Sequence, residues 1–109
     1  MITRKPWQPI RVKEARAFLK RDDVLIVDVR DPATFANGHI PEAQNVSIAN
    51  LAAVIHTAPR DLPILVYCYH GYASQEYAQI FVDFRFQEVY SLEGGYEAWL
   101  KQGALPERL

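Results

Sequence analysis

The chain is poor in cysteine. Cys68 is the only one in 109 residues, so no internal disulfide can form, and two-thiol redox chemistry of the Cys-x-x-Cys kind is excluded. A single thiol suits a reducing compartment, and a cytoplasmic location is the expectation. An excess of one charge is also missing: twelve Lys and Arg face thirteen Asp and Glu, for a net charge of −1. Charge alone would hold neither nucleic acid nor an anionic membrane surface, so neither is expected as a partner. No apolar run approaches the roughly 20 residues that span a bilayer. The opening Met1-Ile2-Thr3-Arg4-Lys5-Pro6-Trp7 lacks the apolar core of a secretory signal. Metal ligands are sparse too. Cys68 and His70 supply at most two, fewer than a structural or catalytic zinc site takes, so no metal is expected. Repeats, linkers and low-complexity stretches are absent.

What remains is ordinary globular composition, 50% hydrophobic and 23% charged, in a length that suits one domain over residues 1–109. Trp7 to Ile10 reads as a short edge strand, its pairing limited by Pro6 and Pro9. Ala15, Phe18 and Leu19 share one face of a first helix whose other side carries Lys13, Arg16, Lys20 and Arg21, a solvated face. Val24 to Val27 is a buried strand ending in Asp28-Val29-Arg30-Asp31-Pro32, where proline takes the chain out of the sheet. Ala33 to Ala36 make one helical turn closed by Asn37-Gly38, and His39 to Val46 form a bend followed by a brief strand. Ile48, Leu51, Ala52 and Ile55 mark an amphipathic helix. Ile64 to Tyr67 is a continuous apolar run, a strand buried on both faces. Tyr77, Ile80, Phe81 and Phe84 then recur at helix spacing, with Ser74 as the expected N-cap. Glu88 to Ser91 is a last short strand, and a helix packed through Tyr96, Trp99 and Leu100 stops near Gly103. Strands alternating with helices predict an α/β fold: a central parallel sheet of about five short strands with helices on both faces.

Chemistry concentrates in one place. Cys68 sits where the Ile64–Tyr67 strand hands over to a helix, with the five residues Tyr69, His70, Gly71, Tyr72 and Ala73 between it and Ser74. A helix N-terminus presents unpaired N–H groups and partial positive charge. A thiol placed there exists largely as the nucleophilic thiolate. The five loop residues are few enough to curl around the sulfur and aim their amides at it, as anion-binding nests do. Free cysteines are often simply small buried hydrophobes. A position at the carboxyl edge of a parallel sheet, where such folds bind ligands, favours the reactive reading. Asp28 and Ser91 end strands at that same edge.

Four motifs then carry a resemblance: Asp28-Val29-Arg30; Phe35-Ala36-Asn37-Gly38-His39-Ile40-Pro41-Glu42-Ala43; the Cys68 loop; and Leu92-Glu93-Gly94-Gly95-Tyr96-Glu97-Ala98-Trp99. Together, and in this order, they resemble a single-domain rhodanese over nearly the whole chain. The Cys68-Tyr69-His70-Gly71 loop is especially similar to the GlpE-type thiosulfate sulfurtransferases. The resemblance implies a single rhodanese-like domain and a two-step transfer. Cys68 takes the outer sulfur of thiosulfate or of a persulfide donor, holds it as a persulfide among the amides of Tyr69 to Ala73, and passes it on. The implied donor is a small sulfur-containing anion; the acceptor is a thiol, a thioredoxin-like protein or cyanide. No metal or organic cofactor is implied.

The loop departs from that pattern in two respects. Tyr72 and Ala73 stand where close relatives have small polar residues, and no Arg or Lys lies in the loop to meet thiosulfate. Around it, Asp28 and Arg30 are expected to brace the loop through an ion pair, His39 to be structural, Gly94 and Gly95 to serve backbone geometry, and Trp99 to be core. His70, two residues from Cys68, need not face it. A related fold carries phosphatases whose cysteine loop is one residue longer and closes on an arginine. Here the sixth residue after Cys68 is Ser74, which leaves a phosphate dianion without a bidentate cation. The remaining alternatives are a non-catalytic rhodanese-like binding module and a cysteine redox sensor.

Overall fold

The most apolar strand lies at the middle of the sheet. The computed structural model describes residues 5–103. Its strands are β1 (Gln8–Ile10), β2 (Leu25–Asp28), β3 (Gln44–Asn45), β4 (Ile64–Tyr67) and β5 (Val89–Leu92). They pair in parallel throughout, in the order β1-β5-β4-β2-β3. All four residues of β4 are buried, as a strand with neighbours on both sides and helices above and below must be. Around the sheet run α1 (Val12–Phe18), α2 (Pro32–Ala36), α3 (Ile48–Thr57), α4 (Ala73–Asp83) and α5 (Gly95–Gly103).

Alternation along the strands divides the core in two. Val27, Ile64, Val66 and Val89 point to one face, where Leu51 and Ile55 of α3 and Ala78, Phe81 and Val82 of α4 meet them. Ile26, Leu65, Tyr67 and Leu92 point to the other, against Val12 and Ala15 of α1, Trp99 of α5 and Ile40. Each such side chain contributes about 1.5–3 kcal/mol on leaving water. The architecture is thus the α/β sheet with helices on both faces that the alternation predicts. No helix among the described residues is long and apolar enough to cross a membrane.

Local signals fix several ends. Pro32 opens α2, and the Asp31 side chain caps it by accepting the Thr34 N–H at 2.9 Å. That bond and the Thr34 hydroxyl hold the Asp31 carboxyl below its ordinary range. At α3, Ser47 Oγ accepts the Ala49 N–H and Asn50 Oδ1 accepts the Ser47 N–H, a reciprocal cap.

Other expectations shift. β2 and β5 lie one residue later than the expected Val24–Val27 and Glu88–Ser91, because pairing with β4 sets Leu25 on one side and Val89 on the other opposite Ile64. Trp7 stays outside β1. Ser74 is not the N-cap of α4. That place falls to Tyr72, and Ser74 lies inside the first turn with its side chain fully buried. The buried face of α4 accordingly runs through Ser74, Ala78, Phe81 and Val82, leaving Tyr77 and Ile80 half-buried and Phe84 50% exposed. Helical phase is set where the helix begins, and Phe84 falls on its flank. Leu100 of α5 and Ile48 at the first turn of α3 are likewise exposed rather than packed.

Candidate active site

Cys68 is the first residue beyond β4 and is nearly buried, at 7% exposure. Its Sγ accepts the N–H of Gly71 at 3.1 Å and of Ser74 at 3.3 Å. The thiol also meets Ser74 Oγ at 3.4 Å, and Ser74 Oγ lies 2.8 Å from Ser91 Oγ. Both serines are buried. Ser91 comes from β5, brought beside the sulfur by the pairing of Val66 with Ser91. One amide of the loop, one in the first turn of α4 and a chain of two hydroxyls thus form the inner wall around the sulfur. Either serine can donate to the other. With the thiol protonated, protons can point from Sγ toward Ser74; with a thiolate, Ser91 donates to Ser74 and Ser74 to sulfur. The pair therefore serves both states.

The loop is held in this shape by the rest of the edge. Gly71 has φ +100°, and a Cβ there would stand 3.0 Å from the Gly94 nitrogen. Gln75 Nε2 donates to the Gly71 carbonyl at 2.8 Å. The N–H groups of Tyr96 and Glu97, opening α5, donate to the carbonyls of Cys68 and Tyr69 at 2.8 and 3.0 Å. That approach depends on Gly95, with φ +62°, where a Cβ would come 2.4 Å from the Tyr69 oxygen and 2.6 Å from that of Cys68.

Asp28 and Arg30 form a two-pronged ion pair, with Arg30 Nη2 2.6 Å and Nε 3.0 Å from Asp28 Oδ2, and both side chains are buried. Arg30 also donates to the Gly38 carbonyl at 2.7 Å, and its guanidinium lies 4.2 Å from the centre of the Tyr96 ring. Burial opposes its charge, but the bonds and attraction of Asp28 outweigh it and strengthen proton binding. Tyr67 belongs to the same cluster: its hydroxyl accepts the Ile40 N–H at 3.0 Å. Burial, then Asp28, push its ionisation well above the ordinary tyrosine range. These hydrogen bonds run to the backbone and to one another, not to the sulfur. The pair reaches the loop through Tyr96, whose N–H holds the Cys68 carbonyl, and through Tyr67, whose ring lies 5.6 Å from the Arg30 guanidinium and which directly precedes Cys68.

The outer side differs. Tyr69 is 44% and Tyr72 77% exposed, and with Cys68, His70 and Ala73 they line an open cavity of about 270 Å³. No Lys or Arg is among these residues. His70 turns its Nδ1 to Glu97, 3.1 Å away, with its ring edge-on to Tyr69. His39 lies elsewhere, stacked on Phe35 with Nδ1 2.8 Å from the Phe35 carbonyl, a structural role.

The structure thus brings Tyr69, His70, Gly71, Tyr72, Ala73 and Ser74 around Cys68 and places Asp28 and Arg30 behind them. Ser91 lies at the Cys68 edge, as a serine ending a strand there predicts. Gln75, Gly95 and Glu97 are neighbours that the sequence pattern does not single out; for Gly95 the signal is the glycine pair following the last strand.

An all-parallel sheet with a lone cysteine cradled at its carboxyl edge defines the class. The rhodanese-like domain model matches residues 11–102. A thiosulfate sulfurtransferase GlpE of Coxiella burnetii (strain RSA 493 / Nine Mile phase I) is 45% identical over 93 residues, 85% of this chain and 87% of that protein. The protein of that name from Pseudoalteromonas translucida is 40% identical over 93 residues, 85% and 89% of the two chains. Among solved structures, a rhodanese-related protein of Thermoplasma volcanium aligns with TM-score 0.76 and 25% identity, over 89% of this chain and 94% of that one. A Rhodopseudomonas palustris protein, described as of unknown function and a possible tyrosine phosphatase, aligns with TM-score 0.77 and 28% identity, over 89% and 82%. In the present chain no arginine lies between Cys68 and Ser74. The chain belongs to the rhodanese family, and it is a sulfurtransferase of that family.

Proposed function

We propose that Cys68 is the sulfur-carrying nucleophile, with thiosulfate or a small persulfide as donor and a thiol, a thioredoxin-like protein or cyanide as acceptor. The observation that carries this reading is the cradle: one sulfur at the base of a cavity, facing two amides and a hydroxyl that favour negative charge on it. In the first step the Cys68 thiolate attacks the outer sulfur of thiosulfate. An S–S bond forms to Sγ, the S–S bond of thiosulfate breaks, and sulfite leaves with the electron pair. In the second, the acceptor attacks the outer sulfur of the Cys68 persulfide; cyanide leaves as thiocyanate, and the Cys68 thiolate is restored. Atoms and charge balance in both steps with no further reactant. The amides of the Tyr69–Ala73 loop and of Ser74 hold the persulfide, while Asp28 and Arg30 position the loop through Tyr96. The names of the curated relatives support thiosulfate as donor. We place the protein in the cytoplasm and read residues 1–109 as one rhodanese-like domain.

The test is the intact mass of the protein after thiosulfate, with and without cyanide, beside Cys68→Ala. The expected result is a gain of one sulfur atom that cyanide removes and that Cys68→Ala never shows. Failure to take up sulfur from both thiosulfate and a small persulfide would favour a binding module instead.

A further inference from the structure

The inner wall around Cys68 handles charge on a single sulfur; the open side must accommodate whatever else the donor carries. Thiosulfate carries two negative charges, and the open side offers them little. Its lining residues are Cys68, Tyr69, His70, Tyr72 and Ala73, without a Lys or Arg. Its one titratable cation candidate, His70, is engaged by the Glu97 carboxylate at 3.1 Å. The amides of Gly71 and Ser74 already point at Sγ. A dianion desolvated there has no charged partner to replace water.

What the open side does offer is aromatic surface. Tyr72 leaves 77% of its area in solvent at the rim, and Tyr69 leaves 44%. Tyrosine rings with few rotatable bonds give contact area at small entropic cost. The cavity volume of about 270 Å³ exceeds the apolar cavity of about 150 Å³ that admits benzene.

We infer that this rim is a subsite for the organic group of a singly charged sulfane donor, R–SO₂–S⁻ or R–S–S⁻ with R apolar, and that Tyr72 is its specificity-determining residue. The inference rests on Cys68 being the sulfur carrier. The chemistry is unchanged: the Cys68 thiolate forms an S–S bond to the terminal sulfur, and the bond from that sulfur to the R-bearing sulfur breaks. A thiosulfonate then releases the sulfinate R–SO₂⁻ with the electron pair. The ring of Tyr72 lies against R while the terminal sulfur faces Sγ.

The experiment compares benzenethiosulfonate with thiosulfate in the wild type, Tyr72→Asn and Tyr72→Phe, with cyanide as acceptor and thiocyanate formation as readout. The two donors differ in intrinsic reactivity, so the quantity read is the ratio of their kcat/KM values and its change between variants. The expected result is a fall of about five- to tenfold in that ratio for Tyr72→Asn, carried by KM for the aryl donor, and a ratio near wild type for Tyr72→Phe. A ratio unchanged in Tyr72→Asn, or both donors weakened alike, overturns the subsite. If wild-type protein takes sulfur from neither donor, the reading of Cys68 itself fails. Intact mass tells that case apart, because a failed subsite still leaves Cys68 loaded.

Discussion

The two sides of Cys68 are built on opposite rules. Inward, Ser74 and Ser91 are buried and mutually bonded, and two amides converge on the sulfur. Outward, Tyr69, His70 and Tyr72 stand in solvent around an open cavity. With Cys68 as the proposed sulfur carrier, the inner side would serve a step that every substrate shares, the appearance and transfer of negative charge on sulfur. The outer side, on the same proposal, would meet only what differs between substrates. A residue's place on one side or the other therefore tells what its loss should do: slow all donors together, or change their order.

The inner side is deeply braced, and the largest effect should come from its support. Arg30→Met leaves Asp28 buried without its counter-charge, at a cost of about 3–5 kcal/mol. Denaturant unfolding measures this, and the Asp28→Asn/Arg30→Met double variant should recover part of the loss. A cost below about 1 kcal/mol, typical of an exposed pair, would mean the pair does not brace the edge.

Ser91→Ala sharpens the comparison further. Removing the donor behind Ser74 frees the Ser74 proton from a fixed direction and weakens the hydroxyl chain to the sulfur. Alkylation of Cys68 by iodoacetamide at neutral pH should slow about three- to tenfold, the size of one modest hydrogen bond. Ser91→Thr should restore the rate. A purely structural serine would change the melting temperature and leave alkylation alone.

At neutral pH the smallest effect is electrostatic, and it grows only in alkali. Burial and Asp28 raise the ionisation of Tyr67 in the folded state. Above the ordinary tyrosine value of about 10, the unfolded chain therefore releases a proton that the folded one keeps. Stability from this group is fully present below about pH 10 and falls as pH rises, by up to about 1.4 kcal/mol per pH unit. Tyr67→Phe should make the alkaline fall of stability shallower, while lowering stability at pH 7 through the lost bond to the Ile40 N–H. An unchanged alkaline slope would remove Tyr67 from that titration.

Much of the inner side was legible in the sequence, though not its wiring. A continuous apolar run ending on one cysteine, followed by a helical pattern, places Cys68 at the sheet's carboxyl edge without any structure. The ion pair of Asp28 and Arg30 was expected from two opposite charges at a strand's exit. The role of Ser74 was not legible, because a serine before a helical stripe reads as a cap. Only the packed structure shows its hydroxyl spent on sulfur instead. Ser91 is legible as a strand end at the Cys68 edge, but its bond to the Ser74 hydroxyl depends on the β4–β5 pairing, a tertiary register that no local pattern encodes. Exposed Phe84 and Leu100 show the limit of periodicity: spacing identifies a helix, but the phase of its buried face is set by what its first turn touches. Of the outer side, Tyr72 was visible as an odd residue in the loop, but its exposure was not.

The most direct test of the contrast is single-turnover sulfur loading, by rapid-mixing intact mass, for wild type, Ser91→Ala and Tyr72→Asn with thiosulfate and with benzenethiosulfonate. The expected result is that Ser91→Ala slows both donors by the same factor, within about twofold, whereas Tyr72→Asn changes their ratio. A Ser91→Ala variant that separates the donors, or a Tyr72→Asn variant that slows both alike, would contradict the division of the site into an inner side for chemistry and an outer side for choice.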